Sequence, residues 1–265
     1  MRKLLLTLIL AGAATSVQAQ TEKVVEIPSR GLKVRALLIE PANPVGSIVL
    51  LAGGHGVLAL SPDGKIGWGA GNQLVRTRAA HARAGFATIV PDAAPDMGTP
   101  AAPKSGYRYS APHGQDIGAV VAHMRSIKSP VALVGTSRGA VSAGIALAHT
   151  SGTARPDMVA LTAPMLMTFG DQPSFQKSMG NNPAWAQLPF LVVGHKRDMC
   201  KYTLPASIER FQKWHGGKMD VILLDGPEGK GDPCEAESAH GFAGIDGEVV
   251  SAVTGWIKRR SAGTK

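Results

Sequence analysis

The sequence predicts an α/β protein: a mostly parallel central sheet with an antiparallel N-terminal start and helices on both faces. Three observations point there. Short apolar runs at 47–52, 86–90 and 131–134 show no polar alternation, so they read as strands buried on both faces. Helical segments alternate with such strands down the chain, as in successive crossover units. The strand Leu32–Ile39 differs. It sets Leu32, Val34 and Ala36 against Lys33 and Arg35, the pattern of a half-exposed antiparallel strand, and it precedes the buried runs.

Taken in order, Met1-Arg2-Lys3, an apolar run over 4–14 and Val17-Gln18-Ala19 form the basic, apolar and small-residue regions of a secretory leader. Cleavage is expected after Ala19, with Val17 and Ala19 at the −3 and −1 positions, and an anchor helix is not expected because the apolar run is too short to span a bilayer. Residues 20–265 then suit one large domain with a sizeable core. Strands are expected at 23–27 and 32–39, joined by a turn at 28–31. After a turn at 41–44, the first fully buried strand, 47–52, ends in Gly53-Gly54-His55-Gly56. A Gly-rich loop (57–71), a helix (72–84) and a buried strand (86–90) follow. The Pro/Gly/Ala-rich loop 93–112 carries Tyr107, Arg108 and Tyr109, and connections that long are normally functional or disordered. Next come a helix (116–127), a strand (131–134), a small-residue helix (140–149) and a strand (157–161). Beyond an irregular segment, 165–187, lie a strand (189–193), a helix (206–215), a strand (219–224) and a closing helix (247–258). No repeat or linker interrupts this series.

Composition narrows the partners. The formal charge is +9, but only Lys258-Arg259-Arg260 forms a basic run, and the aromatics, 5% of residues, are not interleaved with basic ones. Nucleic acid is therefore not an expected partner. No closely spaced Cys/His set suggests zinc, and no third glycine falls at the G-x-G-x-x-G position of a dinucleotide fingerprint in this stretch. Neither a metal nor an organic cofactor is expected.

The chemistry centres on Gly135-Thr136-Ser137-Arg138-Gly139, set between a buried strand and a small-residue helix. A Gly-x-Ser-x-Gly turn in that setting is a nucleophile elbow: it is so tight that side chains at its ends would collide with neighbouring backbone. Ser137 would then stand at the carboxyl edge of the sheet, where open α/β sheets place their sites, with the N-terminus of the next helix beneath it. A serine hydroxyl is a weak nucleophile until a base takes its proton and a third group orients that base. Asp198 follows the strand 189–193, and His240 lies in Ser238-Ala239-His240-Gly241-Phe242 beyond the last strand.

The elbow, the post-strand Asp198 and the His-Gly-Phe before the last helix, in the order Ser137, Asp198, His240, resemble an α/β-hydrolase of the esterase, lipase and dienelactone-hydrolase kind. The resemblance spans nearly all of residues 20–265. It implies acyl transfer to water, with Ser137 as nucleophile, His240 as base and Asp198 as its partner. Among the other histidines, His81, His123, His149 and His215 fall in helices or at their ends, while His113 and His195 fall in loops near the expected mouth. Asp171 and Asp225 are rivals for the acid. The resemblance also implies two N–H donors for the oxyanion. One is Arg138, after the nucleophile; the other is Gly54 or His55, although the His-Gly pair is offset by two residues from the strand end.

Once Ser137, Asp198 and His240 meet, Cys200, two residues after Asp198, and Cys234, six before His240, lie in loops at the same sheet edge. A disulfide between them is expected, in keeping with export. The pocket is expected to draw on 93–112 and 165–188, with Met165, Met167, Phe169, Phe175 and Trp185 as apolar candidates. The expected activity is ester hydrolysis on small or flexible substrates in the periplasm or outside the cell. An exported peptidase or amidase with the same triad, and a non-catalytic binding protein on the same fold, are the alternatives.

Overall fold

Eight strands form one sheet in the order β1-β2-β4-β3-β5-β6-β7-β8. They are β1 (Glu22–Ser29), β2 (Leu32–Ile39), β3 (Ser47–Leu51), β4 (Ala87–Pro91), β5 (Val131–Thr136), β6 (Met158–Thr162), β7 (Phe190–His195) and β8 (Asp220–Leu224). β2 runs antiparallel to both β1 and β4, and every pairing from β4 through β8 is parallel. The expected fold class is the one observed. The computed structural model describes residues 21–166, 174–179, 187–216 and 219–262. The leader, Met167, Phe169, Asp171 and Trp185 lie outside the described residues.

The antiparallel start closes at Arg30-Gly31, where Ser29 pairs with Leu32 and both turn residues have positive φ (50° and 76°), as a two-residue hairpin needs. Arg30 is held there by Asp116 (2.8 and 2.7 Å) and Asp96 (3.1 and 3.0 Å), which fasten the hairpin to the body of the domain.

Alternate strand residues feed two cores, so the inner strands read as unbroken apolar runs. On one face Val49, Leu51, Leu133, Leu161 and Val192 meet α3 (Ala111–Ile127), α4 (Gly139–His149), α5 (Phe175–Met179) and α6 (Ala206–Trp214). On the other, Ile48, Leu50, Val134, Ala160 and Val193 meet α1 (Gln73–Arg76) and α7 (Asp246–Ala262), with α2 (Arg78–Arg83) packed on β4 and α7. Each face buries its apolar side chains against helices, the dominant favourable term in such a layered fold.

Several elements depart from expectation. The helix expected over 72–84 is two short helices broken at Thr77, whose hydroxyl bonds back to the Gln73 carbonyl at 2.7 Å. The helix expected from 116 begins at Ala111, capped by Ser110, whose hydroxyl accepts from the His113 N–H at 3.3 Å. The loop 93–112 holds two 3-10 turns, Pro95–Met97 and Tyr107–Tyr109. His113 and His195, expected near the mouth, are instead buried: His113 in the first turn of α3, and His195 at the end of β7 with 0% exposure. No described helix is long and apolar enough to cross a membrane.

Two buried histidines set an acid limit on stability. Burial holds His81 down to about 4. Burial, with the charges of Arg108 and Arg30 behind it, holds His113 down to about 3. Both are depressed below the unfolded value of about 6.5, so the unfolded chain gains protons first as pH falls. Their contribution is complete above pH 6.5 and disappears as pH drops toward those folded values, costing about 3 kcal/mol per histidine by pH 4. The urea midpoint should therefore fall steeply between pH 6.5 and 4, and less steeply for His81→Leu. Identical slopes for the two proteins would exclude His81 as a source.

Candidate active site

The elbow forms because two glycines permit it. A Cβ on Gly135 would lie 2.6 Å from the Gly139 carbonyl oxygen, and one on Gly139 would run into the Leu51 carbonyl. Ser137, between β5 and α4, takes a φ of 51°, a left-handed value uncommon outside glycine. Its N–H donates to the Thr162 carbonyl at 3.1 Å. Its carbonyl accepts from Met165 (3.2 Å) and Ala140 (3.1 Å). In a trans peptide the C=O and the next N–H point oppositely, so the Arg138 N–H is turned away from those donors.

Ser137 and His240 line one cavity of about 430 Å³, within the range for small-molecule sites. His240 sits in a 3-10 turn, Ala239–Gly241, where the Ser238 hydroxyl accepts the His240 N–H at 3.2 Å. Arg76 fixes this turn from outside, donating to the Gly241 carbonyl (2.6 Å) and the Ala236 carbonyl (3.2 Å) while pairing with Asp246 through both carboxylate oxygens (2.8 Å each).

Behind the imidazole, Asp198 Oδ2 lies 3.1 Å from His240 Nδ1, and the two residues are 2% and 5% exposed. The carboxylate accepts the Cys200 N–H at Oδ1 (2.9 Å) and the Thr203 hydroxyl at Oδ2 (2.8 Å). Thr203 Oγ1 also stands 2.9 Å from His240 Nδ1. Asp198, Thr203 and His240 thus form a closed triangle that leaves Nε2 as the imidazole nitrogen for the cavity. Asp225 is elsewhere: it is exposed and paired with Arg197 (3.2 Å) and Lys196 (3.7 Å).

On the other side of Ser137, a Cβ on Gly53 would come 3.1 Å from the serine Cβ, so the 53–56 loop packs against Ser137. Gly54 and Arg138 line the cavity; His55 does not. Its ring stacks on Trp68 (centroids 3.6 Å apart), and Nδ1 accepts the Val57 N–H at 3.1 Å. Burial, then the charges of Arg108 and Arg138, lower its pKa below the usual histidine value.

Cys200 and Cys234 are joined by a disulfide, and both line the cavity. The bridge ties the Asp198 loop to the His240 loop. With a sequence separation of 34 between the cysteines, it should contribute about 3–4 kcal/mol in the chain-entropy account. Cys234→Ser is expected to lower Tm by roughly 10 °C and to reduce kcat in the protein that remains folded. An unchanged Tm would show that the bridge does not support the fold.

The remaining walls differ from expectation. Met165 lines the cavity, but Phe175 is core, packed edge-on against Phe190 and Phe211 at 5.3 and 5.7 Å. Residues 93–112 contribute nothing to the wall. Trp68, Asn72, Gln73 and Tyr202 do instead. Among the described residues, Asn72 Oδ1 and Gln73 Nε2 are buried polar atoms with no protein partner. Thr203, Arg76 and Gln73 were missed in the sequence. A threonine five residues past an aspartate, or an arginine inside a helix, carries no signal until the loops are brought together. No group of three or more His, Cys, Asp or Glu residues among the described ones could hold a metal.

No protein-family model matches the sequence, and no curated protein matches it either. Solved structures do. An α/β serine hydrolase homologue from Coxiella burnetii is 15% identical, with a TM-score of 0.59, over 89% of this chain and 98% of its own. An α/β serine hydrolase without a lid from Xanthomonas campestris is 13% identical, with a TM-score of 0.59, over 92% and 97%. A dienelactone hydrolase from Anabaena variabilis is 14% identical, with a TM-score of 0.57, over 91% and 98%. The chain has the α/β-hydrolase fold.

Proposed function

We propose that this protein is an exported serine hydrolase that cleaves carboxylic esters of small or flexible substrates through an acyl-enzyme. The observation that carries the reading is the convergence of Ser137 and His240 on one cavity, with the buried Asp198 carboxylate against His240 Nδ1.

The Ser137 hydroxyl attacks the ester carbonyl while its proton passes to His240 Nε2. Asp198 and Thr203 hold Nδ1, which fixes the tautomer and stabilises the imidazolium. The carbonyl oxygen, now negative, is received by the N–H groups of Arg138 and Gly54; that Gly54 lines the cavity and His55 does not favours Gly54 as the second donor. His240 returns its proton to the departing alcohol, which leaves an acyl-serine. Water, deprotonated by the same imidazole, then releases the acid and restores the serine.

The substrate size follows from the cavity, whose walls include Trp68, Met165 and Tyr202, and is in keeping with the lidless description of the Xanthomonas structure. Export is supported by the leader pattern in residues 1–19 and by a disulfide that an oxidising compartment would preserve. A panel of p-nitrophenyl esters beside aminoacyl amides tests the reading: turnover is expected on short acyl esters and not on amides. Preferential amide cleavage would make the protein a peptidase or amidase, and no turnover of either would favour a binding protein.

A further inference from the structure

The Arg108 guanidinium is buried beneath the 53–56 loop, and none of its hydrogen-bond partners among the described residues is a carboxylate. Nη2 donates to the carbonyls of Ala52 (2.9 Å) and Gly53 (3.1 Å), Nε to that of His55 (3.3 Å), and Nη1 to that of Arg138 (3.4 Å) and to the Ser142 hydroxyl. Ser142 Oγ lies 2.8 Å from His113 Nε2, and the Tyr107 hydroxyl donates to the His55 carbonyl. Space for the cation is reserved, because a Cβ on Gly56 would fall inside the guanidinium.

A buried cation is costly unless its donors are satisfied. Here they are satisfied by neutral oxygens, and no carboxylate bonds to the guanidinium directly among the described residues. The direction of these bonds matters as much as their number. The Gly53 carbonyl points down to Arg108, so the Gly54 N–H of the same trans peptide points the opposite way, toward the cavity that Gly54 lines. A charged donor on a carbonyl also polarises that peptide and strengthens its N–H as a donor. The bond to the Arg138 carbonyl ties the nucleophile's own turn to the same guanidinium.

We propose that Arg108 is the positioning residue of the oxyanion site: it clamps the carbonyls of 52, 53, 55 and 138 from below, aims the Gly54 N–H at the tetrahedral intermediate and supplies positive charge beneath it. This rests on the serine-hydrolase reading above. It predicts an effect on the transition state rather than on substrate binding.

The test uses Arg108→Gln and Arg108→Lys in the full chain, with rates expressed per site titrated to completion by a fluorophosphonate, so that misfolded protein does not count. For Gln, kcat on a p-nitrophenyl ester is expected to fall about 100-fold, with KM within about threefold. Affinity for phenylboronic acid, which forms a tetrahedral serine adduct, is expected to fall in parallel. Lys, which keeps the charge but not the fork, is expected to lie between Gln and wild type, and it carries the test alone if Gln does not fold. Wild-type kcat in the variants, or a rise in KM with kcat unchanged, would overturn the proposal while leaving the serine hydrolase intact. A wild-type protein that titrates no site would overturn both.

Discussion

Ser137→Ala is expected to reduce ester turnover by roughly 10³- to 10⁶-fold while leaving Tm within about 2 °C of wild type. In the proposed mechanism, removing the hydroxyl deletes the bond-forming atom. What remains is the binding cavity and the oxyanion donors, which account for a small residual rate. The fold should tolerate the change because Ser137 is tied in through its backbone: its N–H goes to Thr162, and its carbonyl accepts from Met165 and Ala140. Initial rates and thermal melts of the two proteins decide it. Undiminished turnover would move the chemistry to another serine. Ser142 is a poor substitute, since it is buried in α4 with its hydroxyl between Arg108 and His113. Ser105 is exposed and would be the next to examine.

Asp198→Asn is expected to lower kcat by about 10²- to 10⁴-fold with KM changed less than about threefold, because the carboxylate acts on the charged imidazole of the transition state. The geometry gives the reason. Oδ1 must accept the Cys200 N–H, so an asparagine keeps its oxygen there and turns its NH₂ toward the Thr203 hydroxyl and His240 Nδ1. Two donors then face each other, which favours the tautomer with its proton on Nε2, where the serine proton has to go. Steady-state kinetics on one ester are enough, and an unchanged kcat would hand the acid role to Asp171.

What could be read from the sequence follows from where each signal resides. The inner strands were legible because both faces are buried, so Val131 to Val134 needed no alternation to declare itself. The elbow was legible because its glycines answer to local sterics, Gly135 against Gly139 and Gly139 against Leu51. The break at Thr77 was not, since the back-bonded hydroxyl looks like any helical threonine. Side-chain direction in the long loops was the least legible of all. The loop 93–112 does approach the sheet edge, but Tyr107 and Arg108 turn inward under residues 52–56 instead of lining the cavity. His195 misled for a related reason: the strand runs two residues beyond its apolar stretch and carries the imidazole into the core.

The most direct measurement of the central claim is the site of covalent labelling. Protein expressed with its disulfide intact and treated with a fluorophosphonate should gain one adduct per chain by intact mass. Peptide mapping should place it on Ser137, and the adduct should be absent from Ser137→Ala. An adduct on another residue, or none on a protein that hydrolyses esters, would contradict the account.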